Sequence, residues 1–415
     1  MLIDYLTAAV SRGGWRANTY IVLCCCVLIS AVASETRAQS LVYEGSEGIG
    51  QGKHIVFFAN DHEYRSEQTC PLMAKLLAKH HGFKCTVLFG VDEAGHIKAG
   101  SNDVPGTAVL QSADLLFFFT RFMNLPDDQV DNLVAYFERG GPVVGLRTST
   151  HCFNGQQGKW AKLNYNYEGQ DYHGGLGEQV FGNTWHQERG QSHYGTNHQM
   201  GSRLFAADEA QEHPILSGIQ QIHAYSGAYK SQPPADATPL LQVQVLNTFE
   251  PSDDANNDKP TVNAGWTRNW YVAPSGARKD ARVVYTSFGA SEDLLSEAGR
   301  RFLLNACLWA GGWEEAISSN LDVSIVGGYA PTPYSSAALY YGGVEPLDLA
   351  GWDSTIMPAS AELVGVNSAA MAARITSRVL PNRPALKAKL AGKYPELYGP
   401  DAKLPDESPR PRRGR

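Results

Sequence analysis

The feature of this sequence that most restricts its fold is an alternation of short apolar runs with segments of helical periodicity. The first run covers residues 54–59 and the second covers residues 83–89. Between them Leu72 and Leu76 have helical spacing, and Gly82 is expected to end this helix. Runs that are apolar at every position indicate strands buried on both faces, as in a parallel sheet covered by helices. The pattern therefore predicts an α/β domain.

The same alternation continues along the chain. A helix is predicted to open at Pro126 and to stop at Gly140, because proline suits the first helical turn and glycine suits the residue after the last. A final helix is predicted over residues 292–309, with Ser291 as its N-cap. Further strands are predicted at residues 115–120, 142–146, 240–246, 262–267 and 281–287.

The first forty residues differ from the rest. Arg12 and Arg16 precede an uncharged apolar run that ends in Ala31-Val32-Ala33. A basic start, a short apolar centre and small residues before a polar stretch are typical of a secretory signal peptide. We predict a signal peptide over residues 1–38, cleaved after Ala33 or Ala38, and an exported protein, periplasmic or extracellular. An uncleaved anchor is the alternative, and no stable membrane span is expected after cleavage.

Length and composition restrict the remaining chain. Its 415 residues suffice for one large domain, predicted over residues 50–315, and a C-terminal extension, residues 316–415, predicted to be partly disordered. A formal net charge of -7 argues against nucleic acid as the main partner. The cysteines form no Cys-x-x-Cys pair, so the sequence excludes a zinc ribbon or a thioredoxin-type motif.

Polar side chains follow four of the predicted strands. The first strand leads into Asp61-His62-Glu63, the third into Arg121, the fourth into Arg147-Thr148 and His151, and the last into Ser291-Glu292. The carboxyl ends of parallel strands meet at one edge of a sheet, where ligands of such sheets bind. The sequence therefore predicts a polar site at that edge.

The side chains at this edge suit acid/base chemistry and substrate binding. His62 and His151 titrate near neutral pH, and Glu63 could orient an imidazole or act as a base, so these three are the candidate catalytic residues. The arginines offer forked donors, or alternatively neutralise a buried acid. The candidate substrate-binding residues are Asp61, Arg121, Arg147, Thr148, Trp185, His186, Ser291 and Glu292.

A long insertion, residues 148–200, shows no sustained periodicity and is rich in Gly, Asn, His, Trp and Tyr. Its aromatic residues, among them Trp185, could form flat surfaces on which sugar rings rest. It also carries His186, His193 and His198, whose spacing matches no metalloprotease pattern. A divalent metal is therefore kept only as an alternative cofactor with no ligands assigned, and no other cofactor is predicted.

Six segments, in this order within about residues 50–315, resemble the trehalose-utilisation (ThuA-like) family. The resemblance implies a fold like that of class I glutamine amidotransferases, a flavodoxin-like, doubly wound and mostly parallel sheet, here with the irregular insertion and the extension added. It also implies a role in carbohydrate metabolism, with oxidised (keto) sugars or glycosides as substrates. The segments are HIVFFANDHEYRSE, ADLLFFFTRFMNLPDDQ, GGPVVGLRTSTHCF, GGLGEQVFGNTW, HPILSG and SFGASEDL.

The chain departs from true amidotransferases where those enzymes place a cysteine nucleophile in a Gly-x-Cys-x-Gly turn. Here Arg147 and Thr148 follow Gly145-Leu146, and Cys152 lies further along the loop, outside the tight turn that activates a thiolate. Glutamine hydrolysis is therefore not expected.

The sequence favours an enzyme that acts on a sugar or keto-glycoside by hydrolysis, elimination or isomerisation. One alternative is a non-catalytic carbohydrate-binding or scaffold protein that keeps the amidotransferase-like fold. Another is a metal-dependent hydrolase that uses His186, His193 or His198. The expected partner is a small-molecule carbohydrate, and the oligomeric state is not predicted.

Overall fold

The computed structural model of this protein describes residues 40–185, 192–194, 200–335, 338–358 and 360–405. The predicted signal peptide, residues 1–38, lies outside these ranges. The described residues belong to one compact unit. Within the described ranges, no helix has the length and apolar character needed to cross a bilayer.

Short strands alternate with helices along the described chain, as the apolar pattern predicts. The strands are β1 (Leu41–Glu44), β2 (His54–Asn60), β3 (Lys84–Phe89), β4 (Leu115–Thr120), β5 (Val143–Leu146), β6 (Ser192–Tyr194), β7 (Ser202–Ala206), β8 (Ile222–Ala224), β9 (Ala228–Lys230), β10 (Thr238–Val245), β11 (Val262–Arg268), β12 (Tyr271–Val272), β13 (Arg278–Lys279), β14 (Val283–Thr286), β15 (Tyr340–Gly342) and β16 (Glu362–Val364). The α-helices are α1 (Ser66–His81), α2 (Asp127–Glu138), α3 (Gly175–Phe181), α4 (Glu297–Ala310), α5 (Ala369–Arg378), α6 (Pro384–Lys393) and α7 (Pro395–Tyr398).

The main sheet has the order β1-β3-β2-β4-β5-β14-β11-β10-β7-β8. Strands β3, β2, β4, β5 and β14 are parallel to their neighbours within this group. Numbered along the chain, these five strands stand in the order 2-1-3-4-5, which is the flavodoxin-like arrangement. The predicted α/β fold with a flavodoxin-like centre is therefore confirmed.

The sheet as a whole is mixed, because parallel pairing ends at both sides of this centre. β1 pairs antiparallel with β3, and β11, β10, β7 and β8 continue the other side in antiparallel pairs. Parallel neighbours need a long crossover, usually a helix, whereas strands joined without one pair antiparallel. The stretch from β7 to β11 contains no α-helix among its described residues, which accounts for the antiparallel half.

Helices cover both faces of the parallel centre, so the side chains of a central strand pack into two hydrophobic cores, one on each face of the sheet. In β2, Ile55 and Phe57 point into the core that includes α1 and α4, and Val56 and Phe58 point into the core that includes α2 and α3. Each large apolar side chain buried in this way stabilises the fold by about 2 kcal/mol. The four strands with polar sequences at their ends thus form a rigid base for those residues.

Two local predictions are corrected by the structure. The last helix does not begin at Ser291: a 3-10 turn covers Ser291–Leu295, and α4 begins after Ser296, whose hydroxyl accepts the Gly299 N–H at 3.4 Å. The insertion is not wholly irregular, because α3 lies within it. A Cβ on Gly177 of α3 would lie 1.8 Å from the Thr150 carbonyl oxygen, so only glycine lets α3 pack on the turn after β5.

The described part of the C-terminal extension is folded onto the domain. Tyr43 of β1 donates a hydrogen bond to the Leu349 carbonyl oxygen at 2.7 Å, and Gln68 of α1 donates one to the Thr332 hydroxyl at 2.8 Å. Helices α5, α6 and α7 form a small core of their own. The predicted boundary at residue 315 therefore marks no gap in packing, and the basic tail, residues 406–415, lies outside the described residues.

Candidate functional site

The turn after β2 is held by the carboxylate of Asp61. One oxygen accepts the backbone N–H groups of Glu63 and Tyr64, and the other accepts the Thr148 hydroxyl at 2.6 Å. Asp61 and Thr148 are both fully buried. The structure therefore places these two predicted substrate-binding residues beneath the edge of the sheet, where they tie the turn after β2 to the turn after β5.

Arg121, directly after β4, joins His62 and Glu63. Its Nη1 lies 3.0 Å from His62 Nε2, and its Nε lies 3.1 Å from a Glu63 carboxylate oxygen. Because a guanidinium only donates, His62 Nε2 accepts, and the neutral ring carries its proton on Nδ1. The three residues lie where the order of the parallel strands reverses, between β2 and β4, which is where ligands of such sheets bind.

Burial lowers the pKa of His62, and the charges of Arg121 and Arg65 lower it further against the opposing effect of Asp61. His62 is therefore neutral at pH 7, which fits its role as the acceptor of the Arg121 bond.

His151 ends the 3-10 turn Arg147–His151 after β5. Its Nδ1 lies 3.1 Å from the Thr150 hydroxyl, and its ring packs against Phe122 and Trp185, with ring centroids 5.2 and 5.0 Å away. Burial lowers the pKa of His151 well below its usual value, and the charge of Arg121 lowers it further. His151 is thus a neutral imidazole that can accept a proton.

Arg147 begins this turn with a backbone φ of 44°, a left-handed conformation that is rare outside glycine. Its guanidinium is fully buried, donates to the carbonyl oxygens of Gly227 and Ser287, and lies 3.7 Å from the centre of the Tyr64 ring. Burial raises the pKa of the nearby Asp293 carboxyl, and the charge of Arg147 opposes that rise. The burial of the guanidinium and its bonds to backbone carbonyl oxygens argue against direct substrate contact, and the charge of Arg147 acts on a buried acid, as in the alternative interpretation of the sequence.

Aromatic rings form a wall next to His151. The Trp185 ring lies 5.2 Å from that of Tyr229 and 5.0 Å from that of His193, and the Phe122 ring lies 5.1 Å from that of Tyr165. Trp185 and Tyr165 belong to the aromatic-rich insertion, residues 148–200, that the sequence marks, whereas Phe122 and Tyr229 lie outside it. Phe122 could have been found from its place directly after Arg121, whereas nothing in the sequence around Tyr229 marks it.

Ser291 and Glu292 lie at the same edge of the sheet but bind the C-terminal extension. The Ser291 hydroxyl donates to the Thr332 carbonyl oxygen at 2.7 Å. Glu292 forms an ion pair with Arg383, whose Nε lies 2.9 Å from one carboxylate oxygen. Because these partners come from the extension, strand order alone could not show that the two side chains are occupied.

The histidine-rich part of the insertion is described only in part. His186 and His198 lie outside the described residues, whereas His193 lies in β6 with its Nδ1 3.4 Å from the Tyr64 hydroxyl. Among the residues that the structure describes, no group of three or more His, Cys, Asp or Glu could hold a metal ion. The metal alternative, which uses His186, His193 or His198, therefore stays a prediction that the described residues do not test.

A second polar group lies behind His62. Arg65 donates to the carbonyl oxygens of His62, at 3.1 Å, and Ser335, at 2.6 Å, and its Nη1 lies 3.7 Å from a carboxylate oxygen of Glu67. Burial raises the pKa of Glu67 to about 7, although Arg65 opposes the rise. This carboxyl is therefore partly protonated near neutral pH.

The raised pKa of Glu67 predicts a stability that falls between pH 4.5 and about 7. In that interval the unfolded chain ionises this carboxyl while the folded chain keeps it protonated, so the stabilisation present below pH 4.5 is lost as pH rises through the folded value. The loss is on the order of 3 kcal/mol. Urea unfolding at pH 5 and pH 8 should show Glu67→Gln with a clearly smaller decline than the unsubstituted protein. Exposed Glu47→Gln is the control, and an unchanged decline in Glu67→Gln would contradict the prediction.

No protein-family model matches this chain, and no curated protein matches it. Comparison with solved structures does give matches. The chain is similar to ThuA-like proteins. One, from Bacteroides uniformis ATCC 8492, is 14% identical with a TM-score of 0.37, over 65% of this chain and 95% of that one. Another, from Parabacteroides merdae ATCC 43184, is 14% identical with a TM-score of 0.36, over 62% and 89%.

A further match is the exo-β-1,4-mannosidase Op5Man5 from Opitutaceae bacterium strain TAV5, which is 10% identical with a TM-score of 0.27. The match covers 63% of this chain and 35% of the mannosidase, so this chain corresponds to about a third of that enzyme's length. The roles of the site residues are therefore argued from the contacts within this chain and not from these matches.

Proposed function

We propose that this protein is an exported enzyme of carbohydrate metabolism that acts on a sugar or a keto-glycoside by acid/base chemistry. The observation that carries the proposal is His151: a neutral imidazole that packs against Phe122 and Trp185 and feels the charge of Arg121. A base of this kind beside flat aromatic rings suits a ring-shaped, hydroxyl-rich substrate. The six segments that resemble the ThuA-like family, and the name of the mannosidase match, agree with a carbohydrate substrate.

The proposed roles follow from the contacts. His151 takes a proton from the substrate, and Trp185 supplies a surface on which a sugar ring stacks. Arg121 donates to substrate oxygens while its ion pair with Glu63 holds the guanidinium in place. His62 accepts from Arg121 and so positions it. Glutamine hydrolysis is not part of the proposal, because Arg147 stands where amidotransferases place their nucleophile.

The exported location is part of the proposal and rests on residues 1–38, with their basic start, apolar centre and small residues before the polar stretch. N-terminal sequencing of the mature protein from the native host tests it. A first residue of Ser34 or Gln39 is expected, and a mature chain that begins at Met1 would contradict cleavage.

A non-catalytic carbohydrate-binding protein is the second candidate. It is favoured by the fact that Glu63 and His62 are both already engaged by Arg121, which leaves fewer groups for chemistry. A screen of keto-disaccharides and ordinary disaccharides with mass-spectrometric detection separates the two candidates. An enzyme forms a product, whereas a binding protein shows only a rise in melting temperature with ligand.

Trp185→Ala is expected to weaken binding of the sugar found in that screen about tenfold, because a lost aromatic stacking contact removes about 1 kcal/mol or more. Isothermal titration calorimetry measures the change. Trp160→Ala is the matched control, since Trp160 lies in the same insertion but its indole N–H donates to Asp131 at 2.7 Å. If the Trp185 and Trp160 variants bind the sugar with equal affinity, Trp185 does not stack on it.

A further inference from the structure

The end of the C-terminal extension differs in charge from the rest of the chain. Residues 369–415 contain eleven lysines and arginines and four aspartates and glutamates. The chain as a whole has a formal net charge of -7, so acidic side chains outnumber basic ones in the residues before 369. A basic end on an acidic protein indicates that this end approaches an anionic partner.

Helix α6 presents part of this positive charge to solvent. Lys387 and Lys389 are exposed, and so is Lys403 in the segment after α7. Within the described residues, none of these three lysines forms an ion pair with a carboxylate, whereas Lys393 at the end of α6 pairs with Glu362 at 2.6 Å. The three charges are therefore available to a partner outside the protein.

Two apolar pockets flank α6. One has a volume of about 550 Å³ and lies between α6 and the segment after α7, and the other has a volume of about 390 Å³ and lies between α6, β15 and β16. Lys387 belongs to the first pocket and Lys389 to the second. The apolar lining residues include Leu380, Leu397 and Leu404 in the first pocket, and Pro331, Leu363 and Leu386 in the second.

The side of α6 between the two pockets carries small residues. Ala385, Ala388 and Gly392 are exposed, and the helical period places them on one face, with Lys387 and Lys389 on its two sides. A Cβ at Gly392 would meet no atom within 4 Å, so this face is open. Small apolar residues between lysines suit a helix that lies on a membrane, because the lysine amines reach the phosphates while the apolar surface meets the lipid.

The pockets distinguish between the possible anionic partners. A nucleic acid or an acidic polysaccharide would pair with the lysines but has no hydrocarbon for the pockets, whereas a phospholipid offers a phosphate and acyl chains together. We infer that α6 and its two flanking pockets dock this protein on a membrane surface that contains anionic phospholipid. Lys387 and Lys389 bind the phosphates of that surface.

The sequence after Leu404 adds to the positive charge of this surface. Leu404 lines the larger pocket, so residues 406–415, which lie outside the described ranges, follow directly from its wall. They include Arg410, Arg412, Arg413 and Arg415. Basic residues close to an anionic bilayer strengthen binding, and dissolved salt screens the attraction. The affinity for the membrane should therefore fall as ionic strength rises.

This inference is independent of the chemistry proposed for His151. It depends on charge and apolar surface in the C-terminal extension, so it applies to an enzyme and to a binding protein alike.

Co-sedimentation with vesicles tests the inference. The vesicles consist of phosphatidylcholine alone or of phosphatidylcholine mixed with phosphatidylglycerol. The chain from Ser40 onward is used, because it holds every described residue and lacks the apolar run at residues 20–33, which would bind lipid by itself. We expect binding to the vesicles that contain phosphatidylglycerol and little binding to phosphatidylcholine alone.

Charge reversal tests the role of α6. Lys387→Glu with Lys389→Glu should weaken binding at least tenfold, because each lysine near an anionic surface strengthens binding about fivefold. Lys53→Glu with Lys259→Glu is the matched control, since both of these lysines are exposed and the total charge changes equally. The control should bind as the unsubstituted protein does, and the melting temperatures of both variants should stay unchanged. Equal losses of binding in the two double variants would overturn the inference, as would equal binding to the two kinds of vesicle.

A tryptophan on the open face separates a lipid from an anionic polysaccharide. Gly392→Trp should tighten vesicle binding severalfold, because an indole favours the membrane interface, and should leave binding of dextran sulfate unchanged. Vesicle binding that Gly392→Trp does not alter, together with tighter binding of dextran sulfate than of vesicles, would assign this surface to a polysaccharide and overturn the lipid assignment.

Discussion

Replacing Asp61 with alanine is expected to lower the free energy of unfolding by about 4 kcal/mol. The substitution leaves the backbone N–H groups of Glu63 and Tyr64 and the Thr148 hydroxyl without their acceptor in a fully buried place. Each orphaned donor costs about 1–3 kcal/mol, and the relief of a buried carboxylate offsets part of the sum. Urea unfolding, with the slope checked for constancy, measures the loss.

Asp92→Ala is the matched control for Asp61→Ala. Asp92 Oδ1 also accepts two backbone N–H groups, those of Ala94 and His96, but its side chain is 35% exposed. Water can replace that carboxylate, so a loss of about 0.5–1 kcal/mol is expected. Asp61→Asn should fall between the two, because its amide oxygen can still accept from the backbone. Equal losses in the Asp61 and Asp92 variants would show that Asp61 does not tie the two turns together.

The strands of the parallel centre could be predicted from the sequence because their apolar runs have one physical explanation. A segment such as residues 54–59 is apolar at every position only if both faces are covered, and the intervening helical periods supply the covers. The antiparallel half was harder to predict. β10 alternates buried and partly exposed positions, and such alternation fixes neither a strand's neighbours nor its direction.

The location of the candidate site could also be predicted, but the role of each residue could not. The rule that ligands bind at the carboxyl ends of parallel strands does bring His62, Arg121 and His151 together. The same rule says nothing about which way a side chain turns. Arg147 and Asp61 turn inward, and their buried partners come from segments as distant as Gly227 and Thr148.

Some residues of the site could not be predicted, because they or their partners come from distant segments of the chain. Tyr229 reaches the site from β9, a strand of three residues, which is too short to show a periodic pattern. The extension occupies Ser291 and Glu292, although its own composition, rich in Gly, Pro, Ser and Ala, predicts little order. Both the place of Tyr229 and the order of the extension depend on tertiary contacts, which local sequence patterns do not show.

His151→Asn is expected to reduce turnover of a sugar substrate by a factor of about 10² to 10⁴, the contribution usual for a positioned general base. Asparagine can keep the hydrogen bond to Thr150, which lies 3.1 Å from His151 Nδ1, but it cannot take a proton. His151→Ala is a poorer test, because the ring is only 2% exposed and its removal opens a hole against Phe122 and Trp185. Steady-state kinetics on the substrate found by the disaccharide screen measure the effect.

The pH profile distinguishes a base from a merely structural imidazole. Because the pKa of His151 is lowered well below 6.5, turnover of the unsubstituted enzyme should stay constant from neutral pH down past 6.5 and fall only at more acidic pH, where the imidazole becomes protonated. That acid limb should disappear from the residual activity of His151→Asn, whereas Trp185→Ala should keep it and show mainly a raised KM. A His151→Asn enzyme with full turnover, or with the same acid limb at reduced turnover, would assign the proton transfer to another group at this edge of the sheet.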